Sequence, residues 1–440
     1  MRVYNLSHGC LLAAKRPQSL TVFQPNNAYM PLCKPDRHDD LHIACQMSGR
    51  VATDTHCGRR DLAGRFFSDP EMARGWKPVV GYFPCPGAPA AGTARWPTSD
   101  GAREKAMVIE TRRFGPNGMS TSLLGFGCGG VGGLMVRGAV ADQERAIARA
   151  LEAGINYFDT AVQYGNGASE QNLGNALRRL KAKDVLVGTK VRLRSDEFGN
   201  IAAAVTASLE GSLRRLQRDQ ADIFYLHNEV TLHGGGENLS VSQVLEEVVP
   251  AFQALQAAGK LRLPGWTAVG ETEALHRIVD AGFFGAAQVI YNMLNPSAGA
   301  ALPAGYPAQD YGRLLDRMRE AGMGAVGIRV LAGGALSGST QRHPVASPPP
   351  EPMGSGRSYE DDLSRAARLM PLVEEGFAAS LPEAAIRFVI SHPAMGTVLV
   401  GMASVEEFET ALEAVLKGPL PREALQRVAE LTAGFPGEGH

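Results

Sequence analysis

Short apolar runs that each end in a polar residue recur along this chain, with helix-like stretches between them. Asn156-Tyr-Phe-Asp159 ends on Asp159, Val185-Leu-Val-Gly-Thr-Lys190 on Lys190, and Asp222-Ile-Phe-Tyr-Leu-His227 on His227. Tyr164 follows in the loop after the first run. Strands that alternate with helices build a parallel sheet. From Ser122 eight such units can be read. Their strands are expected at 123–127, 156–159, up to Lys190, up to His227, 263–266, 287–291, 325–329 and 397–400. Their helices are expected at 142–153, 170–180, 201–216, 241–258, 271–281, 311–321, 382–391 and 405–416, with an extra helix over 360–376. The fold class this predicts is α/β, a closed (β/α)8 TIM barrel. Polar residues at the C-terminal strand ends of such a barrel converge on one mouth and read as catalytic. Singly, the bland readings differ: Tyr164 a packed aromatic, Lys190 a surface charge, His227 a core histidine, Asp159 a loop acid.

The chain has 440 residues, 44% hydrophobic and 20% charged, with a net charge of −1. That is ample material for one large core. The near-zero charge argues against nucleic-acid binding. No apolar run reaches the roughly 18 residues a membrane span needs. Residues 1–106 stand apart. They carry 14 basic against 9 acidic side chains, ten prolines and five of the six cysteines. Periodicity is not sustained there, and no Cys-x-x-Cys or zinc spacing appears. This segment is expected to be a disordered, non-family extension or a start-site artefact, with a metal or disulfide module and an organelle-targeting peptide as competing readings. The barrel would then be residues 107–440, opening on a hairpin plug over 109–114 and 119–123. Only Cys128 lies in that part, which fits a reducing cytoplasm. No metal site is expected.

Gly125-Phe-Gly127-Cys-Gly129-Gly130 matches a dinucleotide G-x-G-x-x-G pattern. A Rossmann turn needs a helix opening at those glycines. Here Val131-Gly-Gly-Leu-Met-Val-Arg-Gly138 intervenes, so the glycines read as a loop of small residues that lets backbone approach a ligand.

Several motifs in order carry a family resemblance. Phe158-Asp-Thr-Ala-Val-Gln-Tyr-Gly165 is followed by Ser169-Glu170 and Leu173-Gly174. Lys190 closes the next strand and His227 the one after. Leu123-Leu-Gly-Phe-Gly127, Gly259-Lys-Leu-Arg262, Gln288-Val-Ile-Tyr-Asn292, Ala385-Ile-Arg-Phe388 and Thr397-Val-Leu-Val-Gly401 complete the set. From about Val108 to Leu416 the chain resembles the aldo-keto reductases, of the sugar dehydrogenase and general aldehyde reductase type. The resemblance implies a nicotinamide-dependent oxidoreductase that interconverts a carbonyl and an alcohol. It casts Tyr164 as general acid and base, Lys190 as the cation lowering the tyrosine pKa, Asp159 as the partner of Lys190, and His227 as donor to the carbonyl oxygen. A tyrosine hydroxyl titrates near 10 unaided, and a neighbouring ammonium favours the phenolate.

The resemblance also places the cofactor, NAD(H) or NADP(H). Gly129 and Gly130 would line it. Thr267 and Gln288 would meet the nicotinamide amide, although Ala268 replaces a usual carboxamide. Arg329, Leu331 and Gly333 would lie at the pyrophosphate, where Arg329 suits phosphate geometry; a plain salt bridge is its other reading. Ile328 stands where relatives stack a tyrosine. Gly401, Ser404 and Glu407 would lie near the adenosine end. Carboxylates there suit a ribose hydroxyl better than a 2′-phosphate, which tilts the choice to NAD(H) or dual use. Acids in a first helical turn are equally ordinary dipole complements. The pocket would be walled by Met135, Val136, the polar Glu229–Glu237 loop and a lid over 337–358. Trp266 is expected beside the nicotinamide. The partner would be a small carbonyl or alcohol, with no nucleic acid and no membrane. Oxidation of a sugar C1 hydroxyl is the alternative reaction. A cofactor-binding regulatory subunit and a pseudoenzyme are alternatives of another class.

Overall fold

The computed structural model describes residues 109–435, together with backbone strands within the first 54 residues. Of those early strands, Arg2–Leu6, Cys10–Ala14, Leu20–Phe23 and Tyr29–Pro31 pair antiparallel in that order, and Ile43–Met47 pairs with Arg50–Asp54. The expectation of a disordered extension over 1–106 otherwise falls outside the described residues.

Eight strands form the centre: β1 (Leu124–Gly127), β2 (Tyr157–Asp159), β3 (Leu186–Val191), β4 (Ala221–Leu226), β5 (Leu261–Ala268), β6 (Ala286–Ile290), β7 (Gly324–Ile328) and β8 (Met395–Gly401). Each pairs in parallel with the next, and β8 pairs back onto β1, so the sheet has no free edge. Around it lie α1 (Val140–Glu152), α2 (Ala168–Arg179), α3 (Ile201–Leu216), α4 (Val249–Ala257), α5 (Thr272–Asp280), α6 (Leu314–Glu320), α7 (Leu381–Ile390) and α8 (Val405–Leu416). This is the (β/α)8 TIM barrel read from the sequence.

Successive strand side chains point to opposite faces, so each strand feeds two cores. Tyr157, Ile223, Tyr225, Leu263, Val326 and Leu399 fill the barrel interior. Phe158, Phe224, Leu226 and Trp266 face the helices. The floor is closed by a hairpin of Thr111–Phe114 and Met119–Ser122. Its Phe114 is fully buried and stacks on Tyr157 at 6.5 Å. Two glycines make room for that ring: a Cβ on Gly324 or Gly396 would come within 2.8 or 2.7 Å of it.

Three elements differ from expectation for local reasons. The single helix over 241–258 begins as Val241–Gln243, loosens into a π turn at Val244–Val248 and resumes as α4. Pro250 in the first turn of α4 has no N–H to donate, and the wider turn accommodates it. The helix over 360–376 is two, Tyr359–Ala367 and Pro371–Glu374, again divided ahead of a proline. A further amphipathic helix, Arg422–Thr432, buries Ala424, Val428 and Thr432. No described helix is long and apolar enough to cross a membrane.

Candidate active site

The three strand-end residues meet at the C-terminal mouth of the barrel. Asp159 ends β2, Lys190 lies one residue before the end of β3, and His227 directly follows β4. Lys190 is fully buried, and its Nζ donates to Asp159 Oδ1 at 2.5 Å and to the Thr160 carbonyl at 2.7 Å. The same Nζ lies 4.7 Å from the centroid of the half-buried Tyr164 ring. Asp159 Oδ2 accepts two more hydrogen bonds, from the Tyr157 hydroxyl at 2.9 Å and from Gln288 Nε2 at 2.7 Å. A buried charge that lost these partners would be strongly destabilising.

His227 is held by its backbone N–H, which donates to Val191 O at 2.7 Å, and by its ring Nδ1, 2.7 Å from Thr267 Oγ1. Burial, with Lys190 and Arg192 nearby, pulls its pKa from 6.5 to about 3, so the imidazole is neutral at ordinary pH. Burial also pulls on the Lys190 ammonium, but Asp159 and Tyr164 outweigh it and leave its pKa above the usual value. For Tyr164 the balance departs from expectation. Burial raises its pKa more than Lys190 lowers it, so the hydroxyl stays protonated beyond its ordinary range. The arrangement therefore combines a protonated tyrosine, an ammonium beside its ring and a neutral histidine.

The other expected residues divide. Gly129 lies at the mouth, where a Cβ would come within 4.0 Å of the Tyr164 ring; Gly130 accepts from Arg137 through its carbonyl at 2.6 Å. Thr267 and Gln288 are buried beneath the mouth, linked by a 3.3 Å hydroxyl-to-carbonyl contact. Arg329, directly after β7, is half-buried in a left-handed backbone conformation (φ 55°). Its guanidinium reaches only the Glu351 carbonyl, at 3.5 Å, and takes no carboxylate partner among the described residues. That sets aside the salt-bridge reading. Leu331 opens the turn that carries Gly333 and Gly334, both at positive φ, and Arg342 Nη1 donates to Gly333 O at 2.9 Å. Gly401 ends β8 exposed, beside Gly132 of the first loop.

Ser404 and Glu407 are engaged in local structure. The Ser404 hydroxyl accepts from the Glu407 N–H at 3.2 Å, and the Glu407 carboxylate accepts from the Ala403 N–H at 2.7 Å. They cap α8. Trp266 is a correction. Strand alternation puts Thr267 inside the barrel and Trp266 outside, fully buried and 6.2 Å from Phe284. Met135 is likewise in the helix-facing core. Cys128 is buried, and burial pushes its thiol pKa up, which disfavours thiolate chemistry.

Two site-facing residues escaped the motif reading, Tyr157 and Tyr225, whose hydroxyls lie 3.0 Å apart under Asp159. Each stands two residues before a strand-end residue, so period-two counting from Asp159 and His227 finds both. The loop over 337–358 reaches the first loop: Ser347 N donates to Val131 O at 2.9 Å, and Arg137 Nε donates to Val345 O at 2.7 Å.

The chain is similar to several known proteins. The sequence resembles L-galactose dehydrogenase of Arabidopsis thaliana, 29% identical over 70% of this chain and 88% of that protein. It also resembles D-threo-aldose 1-dehydrogenase of a Pseudomonas species, 27% identical over 64% of this chain and 86% of that protein. Among solved structures, the holo form of aldo-keto reductase AKR11C1 from Bacillus halodurans superposes with a TM-score of 0.55 at 25% identity, covering 74% of this chain and 98% of that one. The Aldo/keto reductase family profile matches residues 123–433, and with the barrel those residues form, the chain belongs to the aldo/keto reductase family of oxidoreductases.

Proposed function

We propose that the chain interconverts an aldehyde or ketone with an alcohol by hydride transfer, with Tyr164 as general acid and base. The observation that carries this reading is the Lys190 ammonium, anchored on Asp159 and set 4.7 Å from the Tyr164 ring centroid, beside a neutral His227. A bound nicotinamide supplies the hydride, which no side chain can. In reduction, the Tyr164 hydroxyl gives its proton to the oxygen of the carbonyl as that oxygen gains charge. Lys190 stabilises the phenolate left behind. In oxidation, the phenolate takes the alcohol proton. His227 orients the reacting oxygen.

The donors at the mouth suit a dinucleotide. Arg329 and Arg342, with the backbone of Gly333 and Gly334, would hold the pyrophosphate, while Thr267 and Gln288 would meet the nicotinamide amide. Ser404 and Glu407 act as a helix cap and supply no cation for a 2′-phosphate, which supports NAD(H) or dual use. The second reading, oxidation of a sugar C1 hydroxyl, draws on the two sugar dehydrogenases among the relatives. The exposed Arg192–Glu237 pair at 3.2 Å adds polar groups suited to a hydroxylated substrate.

Equilibrium binding of NADH and NADPH to the full-length protein, followed through the nicotinamide's own fluorescence, tests this. Saturable binding of NADH at micromolar concentration is expected. A preference for NADPH of about a hundredfold, some 2.7 kcal/mol, would overturn the cofactor assignment. Failure to bind either would overturn the oxidoreductase reading.

A further inference from the structure

The carboxylate of Asp159 can only accept hydrogen bonds, and this sets the direction of a polar chain that crosses the barrel. Gln288 Nε2 donates to Asp159 Oδ2 at 2.7 Å, so the Gln288 carbonyl oxygen must face Thr267. The Thr267 hydroxyl has one proton and two neighbours. Gln288 Oε1 lies 3.3 Å away and His227 Nδ1 lies 2.7 Å away.

If Thr267 gave its proton to Nδ1, its oxygen would face the Gln288 oxygen with no hydrogen between them. The buried Gln288 carbonyl would then lack a donor, which is costly in an interior without water. If Thr267 donates to Gln288 instead, Nδ1 carries the imidazole proton and donates to Thr267 Oγ1. Every atom of the chain from Asp159 to His227 is then paired. We propose that Gln288 and Thr267 are positioning residues that hold His227 as the Nδ1–H tautomer in the free protein, leaving Nε2 without a proton.

Nε2 takes no hydrogen-bond partner among the described residues, so it is open to a ligand. An unprotonated Nε2 accepts from an O–H group and cannot donate to a carbonyl oxygen. Resting on the reading that His227 meets the substrate oxygen, the free protein is set to receive a hydroxyl-bearing ligand, an alcohol or a sugar. Donation to a carbonyl requires Thr267 to turn its proton from Gln288 onto Nδ1. The two side chains expected at the nicotinamide amide thereby also choose which hydrogen-bonding form of His227 the substrate finds.

The test is nitrogen–proton correlation spectroscopy of full-length protein carrying 15N-labelled histidine, near neutral pH and without cofactor. The His227 signals are assigned by their loss in His227→Asn. The expected pattern is a protonated, pyrrole-like Nδ1 and a bare, pyridine-like Nε2. Thr267→Val and Gln288→Met are each expected to move His227 toward the Nε2–H form. A pyridine-like Nδ1 in the unaltered protein overturns the proposal, whatever the variants do. An unaltered tautomer in both variants overturns the roles of Thr267 and Gln288. No turnover is needed for this readout. An inactive protein that shows the Nδ1–H pattern would count against the proposed reaction and leave the tautomer assignment standing.

Discussion

The Tyr157 hydroxyl donates to Asp159 Oδ2 at 2.9 Å, two residues along the same strand, and lies 3.0 Å from the hydroxyl of Tyr225. Because Asp159 only accepts, Tyr157 must point its proton there, and Tyr225 must donate to Tyr157. Burial raises the pKa of both hydroxyls, so they remain donors at any ordinary pH. The barrel interior thus supports Asp159 from below, while Lys190 and Gln288 engage it from the sides.

Tyr157→Phe takes a donor from Asp159 and strands the Tyr225 hydroxyl in an apolar interior. Leaving a buried polar group unpaired costs about 1–3 kcal/mol, whereas removing both members of a pair costs less than the separate losses. Urea unfolding should therefore show Tyr157→Phe destabilised by that amount. Adding Tyr225→Phe should recover part of the loss. Strict additivity in the double variant would show that the two hydroxyls do not act together.

His227 makes stability depend on acid in a predictable direction. In the unfolded chain it takes a proton near pH 6.5, but in the folded protein only near pH 3. Between those values the unfolded state binds the extra proton, so stability falls as the pH falls. His227→Asn should show a shallower decline than the parent from pH 6.5 to 3. Parallel declines, measured by denaturant titration at each pH, would mean that the folded protein does not resist protonation at this site.

The floor of the barrel is tuned to one aromatic ring. A Cβ on Gly324 would stand 2.8 Å from Phe114, well inside contact distance. Gly324→Ala should cost about 1–3 kcal/mol through overpacking. Phe114→Leu in the same chain should relieve part of that cost. A thermal melt in which Gly324→Ala matches the parent would show that the hairpin moves aside freely.

The barrel, and the meeting of Asp159, Lys190 and His227 at one mouth, were legible because the strands are apolar runs broken only at their ends. A polar residue closing such a run has few structural explanations, and three in succession point to one mouth. Tyr164 was legible through its motif. Features decided by which face a side chain takes, or by which hydrogen bonds it makes, were harder to read. The sequence alone does not show that Ser404 and Glu407 cap a helix; their bonds to the Glu407 and Ala403 amides do. Trp266 was expected at the mouth because of its position near Thr267, yet one residue of strand turns it to the opposite face. Pro250 and Pro371 altered helices whose apolar pattern ran through them.

Turnover by Tyr164→Phe, compared with the parent under saturating NADH and an aldehyde substrate, tests the proposed chemistry most directly. The substitution removes one hydroxyl and leaves the Asp159–Lys190 pair in place. Nicotinamide binding should be unchanged, while kcat falls by about two to four orders of magnitude, as for the loss of a general acid. Undiminished aldehyde reduction by Tyr164→Phe would contradict the account and move the proton donor elsewhere.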